Sequence, residues 1–290
     1  MAWEPVPIPI RRYASPRRLS RIAAMTAPSA PPPAPAPTAS GTPARAWALA
    51  HVWMPVLMVP ALGGLLAVRA HREPSGWAMA LFTLGALAVY TGDRLGDGDG
   101  EDSAAVCLRP WRRWLMVVAA LAALGCGLLA LLHWRALGET ACFLAALSLA
   151  YPLLRLVPAG KTIAVTVAWT WALHVVAAAP AWTHIDAVIG ILIAATTVGC
   201  DLKDVAQDRV GGVRSLPAAL GAGMTRTLAA AACLAAMALA WSASAPWLAA
   251  TAGLQVVPLA LPMTARPVLG PLLIDGLLVL VPAIGCAFIR

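Results

Sequence analysis

Charge is scarce in this chain. Of its 290 residues 12% are charged, about half the share of an ordinary soluble domain, while 60% are hydrophobic and the mean hydropathy is +0.77. So little polar surface excludes a protein that faces water on all sides. Paired cysteines are missing too. Cys107, Cys126, Cys142, Cys200, Cys233 and Cys286 form no C-x-x-C pair, and most lie in apolar runs where Cys acts as a small hydrophobe, so neither a disulfide framework nor a zinc site is implied. The arginines near the start are followed by proline rather than by a short apolar core and a cleavage site, so no signal peptide is expected. The net charge of +8 and pI near 9.8 would suit nucleic acid, but no soluble basic face exists to carry it; no nucleic-acid partner is expected.

What remains is a polytopic membrane protein. Apolar runs long enough to cross a ~30 Å hydrocarbon core as helix fall near 47–68, 76–92, 113–132, 138–157, 162–182, 185–200, 226–243, 246–265 and 270–289. The fold class expected is all-α, with about nine transmembrane helices surrounding a central cavity. Residues 1–45, rich in Pro, Ala and Arg, have nothing to pack with and read as a disordered cytoplasmic tail, leaving 46–290 as the transmembrane domain. Of the 21 Lys and Arg, all but Arg69, Arg72, Arg135 and Arg290 fall in segments on one side of these spans. The positive-inside rule makes that side, and the N-terminus, cytoplasmic. The membrane expected is the inner membrane of a bacterial cell. Trp47, Trp77, Trp111, Trp114, Trp134, Trp182, Trp241 and Trp247 mark span ends, as an aromatic belt does.

The few acids are concentrated. Of 13 Asp and Glu, five lie in "YTGDRLGDGDGEDS" (Asp93, Asp97, Asp99, Glu101, Asp102) and three in "DLKDVAQD" (Asp201, Asp204, Asp208). Like charges gathered at a membrane boundary repel unless cations hold them. On a helix, Asp93, Asp97 and Glu101 stack on one face about 6 Å apart along the axis, and the three-and-four spacing of Asp201, Asp204 and Asp208 does the same. Gly96, Gly98 and Gly100 are expected to unwind the first cluster beyond Asp97. Carboxylates so presented are hard donors suited to Mg²⁺, which typically bridges carboxylates to substrate phosphates. A calcium loop starting at Asp97 fails, since its sixth and twelfth positions are Asp102 and Leu108. Acids that merely balance nearby Arg and Lys in connecting loops would explain one pair. Two clusters at helical spacing, each at the cytoplasmic end of a span, favour a metal site.

Asp201-x-x-Asp204-x-x-x-Asp208, followed by Arg209, Gly212, Ser215, Leu216 and Pro217, resembles the second aspartate motif of the UbiA-type intramembrane prenyltransferases. The first cluster resembles the family's first motif, with Asp97 and Glu101 in its acidic positions. Asp93 stands where the family usually has asparagine, and Glu101 where it has aspartate, departures that bear on the substrate. Arg109-Pro110, and Tyr151-Pro152-Leu153-Leu154-Arg155 with Lys161, also resemble family segments, and the likeness covers about residues 47–289. It implies Mg²⁺-dependent transfer of a prenyl group from a prenyl diphosphate to an acceptor, aromatic or lipid, within the membrane. Asp93, Asp97, Glu101, Asp201, Asp204 and Asp208 would be metal ligands. Arg94, Tyr151, Lys161, Arg209 and Arg214 would contact substrate, with Lys161 foremost among the phosphate contacts.

An allylic cation needs shielding and aromatic faces, for which Tyr90, Tyr151, Trp169 and Trp171 are candidates. His174 reads equally as a helix-bonding group or as an acceptor's base, and Asp275 as the partner of a basic residue or a cavity-lining group. Phosphoribosyl transfer to a lipid phosphate or intramolecular terpene cyclisation are the runner-up chemistries; a transporter or non-catalytic scaffold is the non-enzyme alternative. A transporter would carry charges near the bilayer midplane, whereas here they gather at the boundary. The charge pattern predicts that a reporter active only outside the cytoplasm works when fused after Arg72 and is silent when fused after Arg113 or Arg214; the reverse would overturn this topology.

Overall fold

Helices account for the regular structure throughout the residues that the computed structural model describes, which are 49–96, 109–154, 156–205, 208, 213–261 and 269–289. The tail expected over 1–45 lies outside them, as do Asp97, Asp99, Glu101, Asp102 and Arg209. Residues 41–290 form one compact unit. A π-helical turn, Leu49–Trp53, leads into α1 (Met54–Arg69); Pro55 has no N–H for the residue 51 carbonyl, which favours such widening. Then follow α2 (Gly76–Gly96), α3 (Arg112–Leu132), α4 (Trp134–Leu154), α5 (Gly160–Val176) and α6 (His184–Asp201). The five-residue α7 (Leu216–Leu220) precedes α8 (Ala222–Ser242), α9 (Pro246–Ala260) and α10 (Leu269–Ile289).

Every expected span overlaps a helix, but the ends differ. Helix α5 stops at Val176 rather than near 182, because Ala178 turns into the left-handed region (φ 50°) ahead of Pro180. Among the described residues five segments are long and apolar enough to cross a membrane: 50–69, α3, α6, α8 and α10. Apolar helix in α2 is limited to Gly76–Gly92 by Asp93 and Arg94, and α9 has 15 residues, about 22 Å of helix. Leaving aside the short α7, each helix packs against the next in the chain and α10 packs against α1, so the contacts close on themselves. Contacts of α1 with α5 and of α6 with α10 run across that circuit.

Helix α6 is largely interior. Its Val188, Ile189, Leu192 and Ile193, on one face, are at most 2% exposed. Between apolar helices in lipid, association depends on close packing rather than escape from water. Ala229, Cys233, Ala236 and Ala240 of α8, spaced four, three and four, form a buried stripe of small residues in the cluster that includes α6. Helix α3 is the opposite case: Ala122 is its one buried residue, and Leu121, Leu124, Leu128 and Leu131 are exposed.

The four basic residues on the sparse side include two with a structural task. Arg69 Nη1 donates to the Ser244 carbonyl at 2.7 Å and Nη2 to the Ala243 carbonyl, while Arg72 Nη1 donates to the Ala178 carbonyl at 2.8 Å. His71, Ala178 and Ser244, just past the ends of α1, α5 and α8, all have φ of 50–54°. Two arginines from the end of α1 therefore satisfy orphan carbonyls at two neighbouring helix ends. Arg69→Ala is expected to destabilise the protein by about 1–2 kcal/mol, read as a lowered melting temperature in detergent.

Candidate functional site

Lys161 and Asp201 stand 40 residues apart in sequence and touch. The link from α4 closes through bonds from Leu156 N to Leu153 O, Val157 N to Leu154 O and Gly160 N to Val157 O. Ala159 then turns at φ 64° and Gly160 starts α5. A Cβ on Gly160 would lie 2.0 Å from the Leu154 carbonyl oxygen, so the entry that presents Lys161 requires glycine. Lys161 Nζ donates to Asp201 Oδ1 at 2.7 Å. Its side chain is 24% exposed, that of Asp201 4%.

The second acidic segment interrupts its helix. Helix α6 ends at Asp201, the chain turns through Leu202–Asp204, and Val205 and Asp208 are helical again, with Asp208 N donating to the Asp204 carbonyl at 2.8 Å. The expected single face of three carboxylates is thereby interrupted between Asp201 and Asp204, while Asp204 and Asp208 keep their one-turn helical spacing. Asp201 and Asp208 are buried and the Asp208 charge acts on Lys161, whereas Asp204 is held by Lys203 Nζ at 2.9 Å from each carboxylate oxygen. Arg214 is exposed and Tyr151 half-buried.

Both charges of the Lys161–Asp201 pair sit at the helix end that disfavours them. The N-terminus of α5 prefers an anion and the C-terminus of α6 a cation, the opposite of the side chains that occupy them. Asp201 Oδ2 and Asp208 Oδ2 are buried without a hydrogen-bond partner, and orphan hard-oxygen donors of this kind fit a divalent cation. Among the described residues no three His, Cys, Asp or Glu side chains form a metal-holding group; Asp97 and Glu101 fall outside that set. Two buried hydroxyls also lack partners: Thr162 Oγ1, next to Lys161 in sequence, and Ser215 Oγ, seven residues after Asp208. No sequence signal singles out Thr162.

Helix α2 runs toward this end of the molecule. Ser75 N, just ahead of α2, donates to the Val176 carbonyl at the end of α5, and the Tyr90 and Trp169 rings meet at 6.3 Å. The two helices thus run antiparallel, and the α2 backbone at Asp93 and Arg94 continues toward the end where α5 starts. His174 belongs elsewhere, 13 residues or about 20 Å along α5 from Lys161. Its Nδ1 lies 3.0 Å from Asp186 Oδ1 and its ring stacks on Trp182 at 4.1 Å. Asp186 Oδ2 also accepts from Thr183 N and Oγ1. Trp171 stacks on Phe143 at 4.2 Å and donates to Thr140 Oγ1. His174 therefore fastens the α5–α6 connection, and Trp171 fastens α5 to α4.

No family model, curated protein or solved structure matches the chain. Removing the ammonium leaves Asp201 a buried carboxylate without its countercharge. Lys161→Met is expected to cost stability at the low end of about 3–5 kcal/mol, since Lys161 keeps some exposure, and Lys161→Arg to recover part of it; thermal melts of the purified variants read both.

Proposed function

We propose that the chain is a Mg²⁺-dependent intramembrane prenyltransferase of the UbiA type, which takes a prenyl diphosphate and transfers its prenyl group to an aromatic or lipid acceptor. The observation that carries this reading is the charge arrangement at the junction of α5 and α6: Lys161 at a helix N-terminus against Asp201, with the buried carboxylate oxygens of Asp201 and Asp208 left unpartnered. Antiparallel packing of α2 on α5, which directs the end of α2 that carries Asp93 and Arg94 toward that junction, supports it. The charge pattern makes the junction cytoplasmic, where a soluble diphosphate headgroup can arrive.

On this reading Asp201 and Asp208, together with Asp93, Asp97, Glu101 and Asp204, would hold the metal. When bound, Mg²⁺ offsets the charge that develops on the departing diphosphate. Lys161, Arg94, Arg209 and Arg214 bind the phosphoryl oxygens, with Lys161 exchanging Asp201 for phosphate. Ionisation breaks the allylic C–O bond and leaves its electron pair on the diphosphate. The tilted Tyr90–Trp169 pair offers aromatic faces to the allylic cation and excludes water. The acceptor then supplies the electron pair of the new bond and loses a proton.

Asp208→Asn is expected to lower Mg²⁺-dependent diphosphate release by about 100-fold or more, with the protein still inserted in membranes. Incubation with radiolabelled prenyl diphosphates and membrane lipid extract, with Mg²⁺ or with EDTA, measures this and identifies the acceptor by its label. Undiminished turnover in the variant or in EDTA refutes the reading, and a labelled cyclic hydrocarbon would reassign the chain to cyclisation.

A further inference from the structure

Helices α5 and α6 meet along a seam with few apolar groups in it. On α5 the seam carries Thr162, Thr166, Thr170 and His174, each four residues after the last and so on one face. On α6 the facing positions are Asp186, Gly190, Ala194, Thr197 and Asp201, spaced four, four, three and four, with no large apolar side chain among them. Contacts at three levels fix the register. His174 Nδ1 lies 3.0 Å from Asp186 Oδ1, a Cβ on Gly190 would lie 3.4 Å from Thr170 Oγ1 and 3.8 Å from Thr166 Cγ2, and Lys161 Nζ meets Asp201 Oδ1 at 2.7 Å. A threonine in an apolar helix can satisfy its hydroxyl on the carbonyl one turn back, as Thr170, Thr197 and Thr251 do. Thr162 and Thr166 do not: their Oγ1 atoms are buried and have no hydrogen-bond partner among the described residues.

A buried hydroxyl without a protein partner calls for water. The spacing suits it, because four residues of helix rise about 6 Å and two O–H···O bonds of about 2.8 Å through a single water span nearly the same distance. One water then joins Thr162 to Thr166, and a second joins Thr166 to Thr170. We infer that the α5–α6 seam is a proton path, a file of hydroxyls and waters that runs about 18 Å from Thr162 to the His174–Asp186 pair. Each hydroxyl and each water accepts a proton on one side and releases its own on the other, and His174 accepts at one ring nitrogen and releases at the other. One proton crosses per passage, and neither Lys161 nor Asp201 changes its charge. Asp186, which also accepts from Thr183 N and Oγ1, holds the imidazole in place. Both ends reach the medium: Thr183 and His184 are exposed beside the outer pair, and the Lys161 side chain at the inner end is 24% exposed. The path stands on the geometry of two helices and holds whatever substrate the site takes.

The test reconstitutes the purified full chain in liposomes that enclose a pH-sensitive dye, and a potassium diffusion potential set with valinomycin, negative inside, draws protons in. No Mg²⁺ or prenyl diphosphate is present, so the result is separate from that of the transferase assay. Wild-type liposomes are expected to acidify faster than protein-free ones. Thr166→Val keeps the size of the side chain and removes its hydroxyl, and should lower the protein-dependent rate by about tenfold, the effect of one hydrogen bond lost from the file. Thr166→Ser returns the hydroxyl and restores the rate, which a smaller side chain would not do if packing alone were at fault. Thr227→Val, on the exposed side of α8, leaves the rate unchanged. Should Thr166→Val fail to insert, Thr162→Val is read in its place. A wild-type rate no higher than that of protein-free liposomes overturns the inference. So does an undiminished rate in Thr166→Val, a rate in Thr166→Ser as low as that of Thr166→Val, or an equal loss in Thr227→Val.

Discussion

Hydrocarbon offers no hydrogen bonds, so any polar group carried into this bundle must find its partner within the protein. That constraint organises both ends of the molecule. At one, the carbonyls that end α5 and α8 are taken by Arg72 and Arg69, and Asp186 bonds at once to Thr183 and His174. At the other, Lys161 meets Asp201 and Lys203 meets Asp204. The charged groups just named at the first end are all partnered. The second keeps bare carboxylate oxygens on Asp201 and Asp208, and that contrast separates a fastening from a site.

The two ends also differ in how their charges sit on helix dipoles. Asp186 occupies the first turn of α6, where a carboxylate is favoured. Lys161 and Asp201 occupy the first turn of α5 and the last of α6, where their signs are disfavoured. An arrangement that stabilises the fold would choose the opposite signs. Groups kept against local preference are characteristic of functional positions, and the preference here is for a bound anion and cation.

Much of the fold was legible because hydropathy is additive along the chain: runs such as 113–132 and 185–200 need no tertiary information to be seen, and both are helices close to those limits. Helix ends were less legible. The stop of α5 at Val176 depends on a left-handed alanine that no composition rule demands. In the site, the spacing of Asp201, Asp204 and Asp208 showed an acidic cluster but assumed continuous helix, and the turn at Leu202–Asp204 sends Asp204 to Lys203 instead. The union of Lys161 with Asp201 was invisible for a different reason, since it is made by the packing of α5 on α6 and leaves no trace in either local sequence. Arg69 and Arg72 read only as exceptions to a charge bias, and their bonds to carbonyls 106 to 175 residues away gave no advance sign.

Those arginine bonds have a consequence for the environment the protein tolerates. Their acceptors are peptide carbonyls, which do not titrate, and guanidinium stays protonated across the whole physiological range. The join they make between α1, α5 and α8 is therefore indifferent to acidification of the surrounding medium, unlike one built from carboxylates or imidazoles.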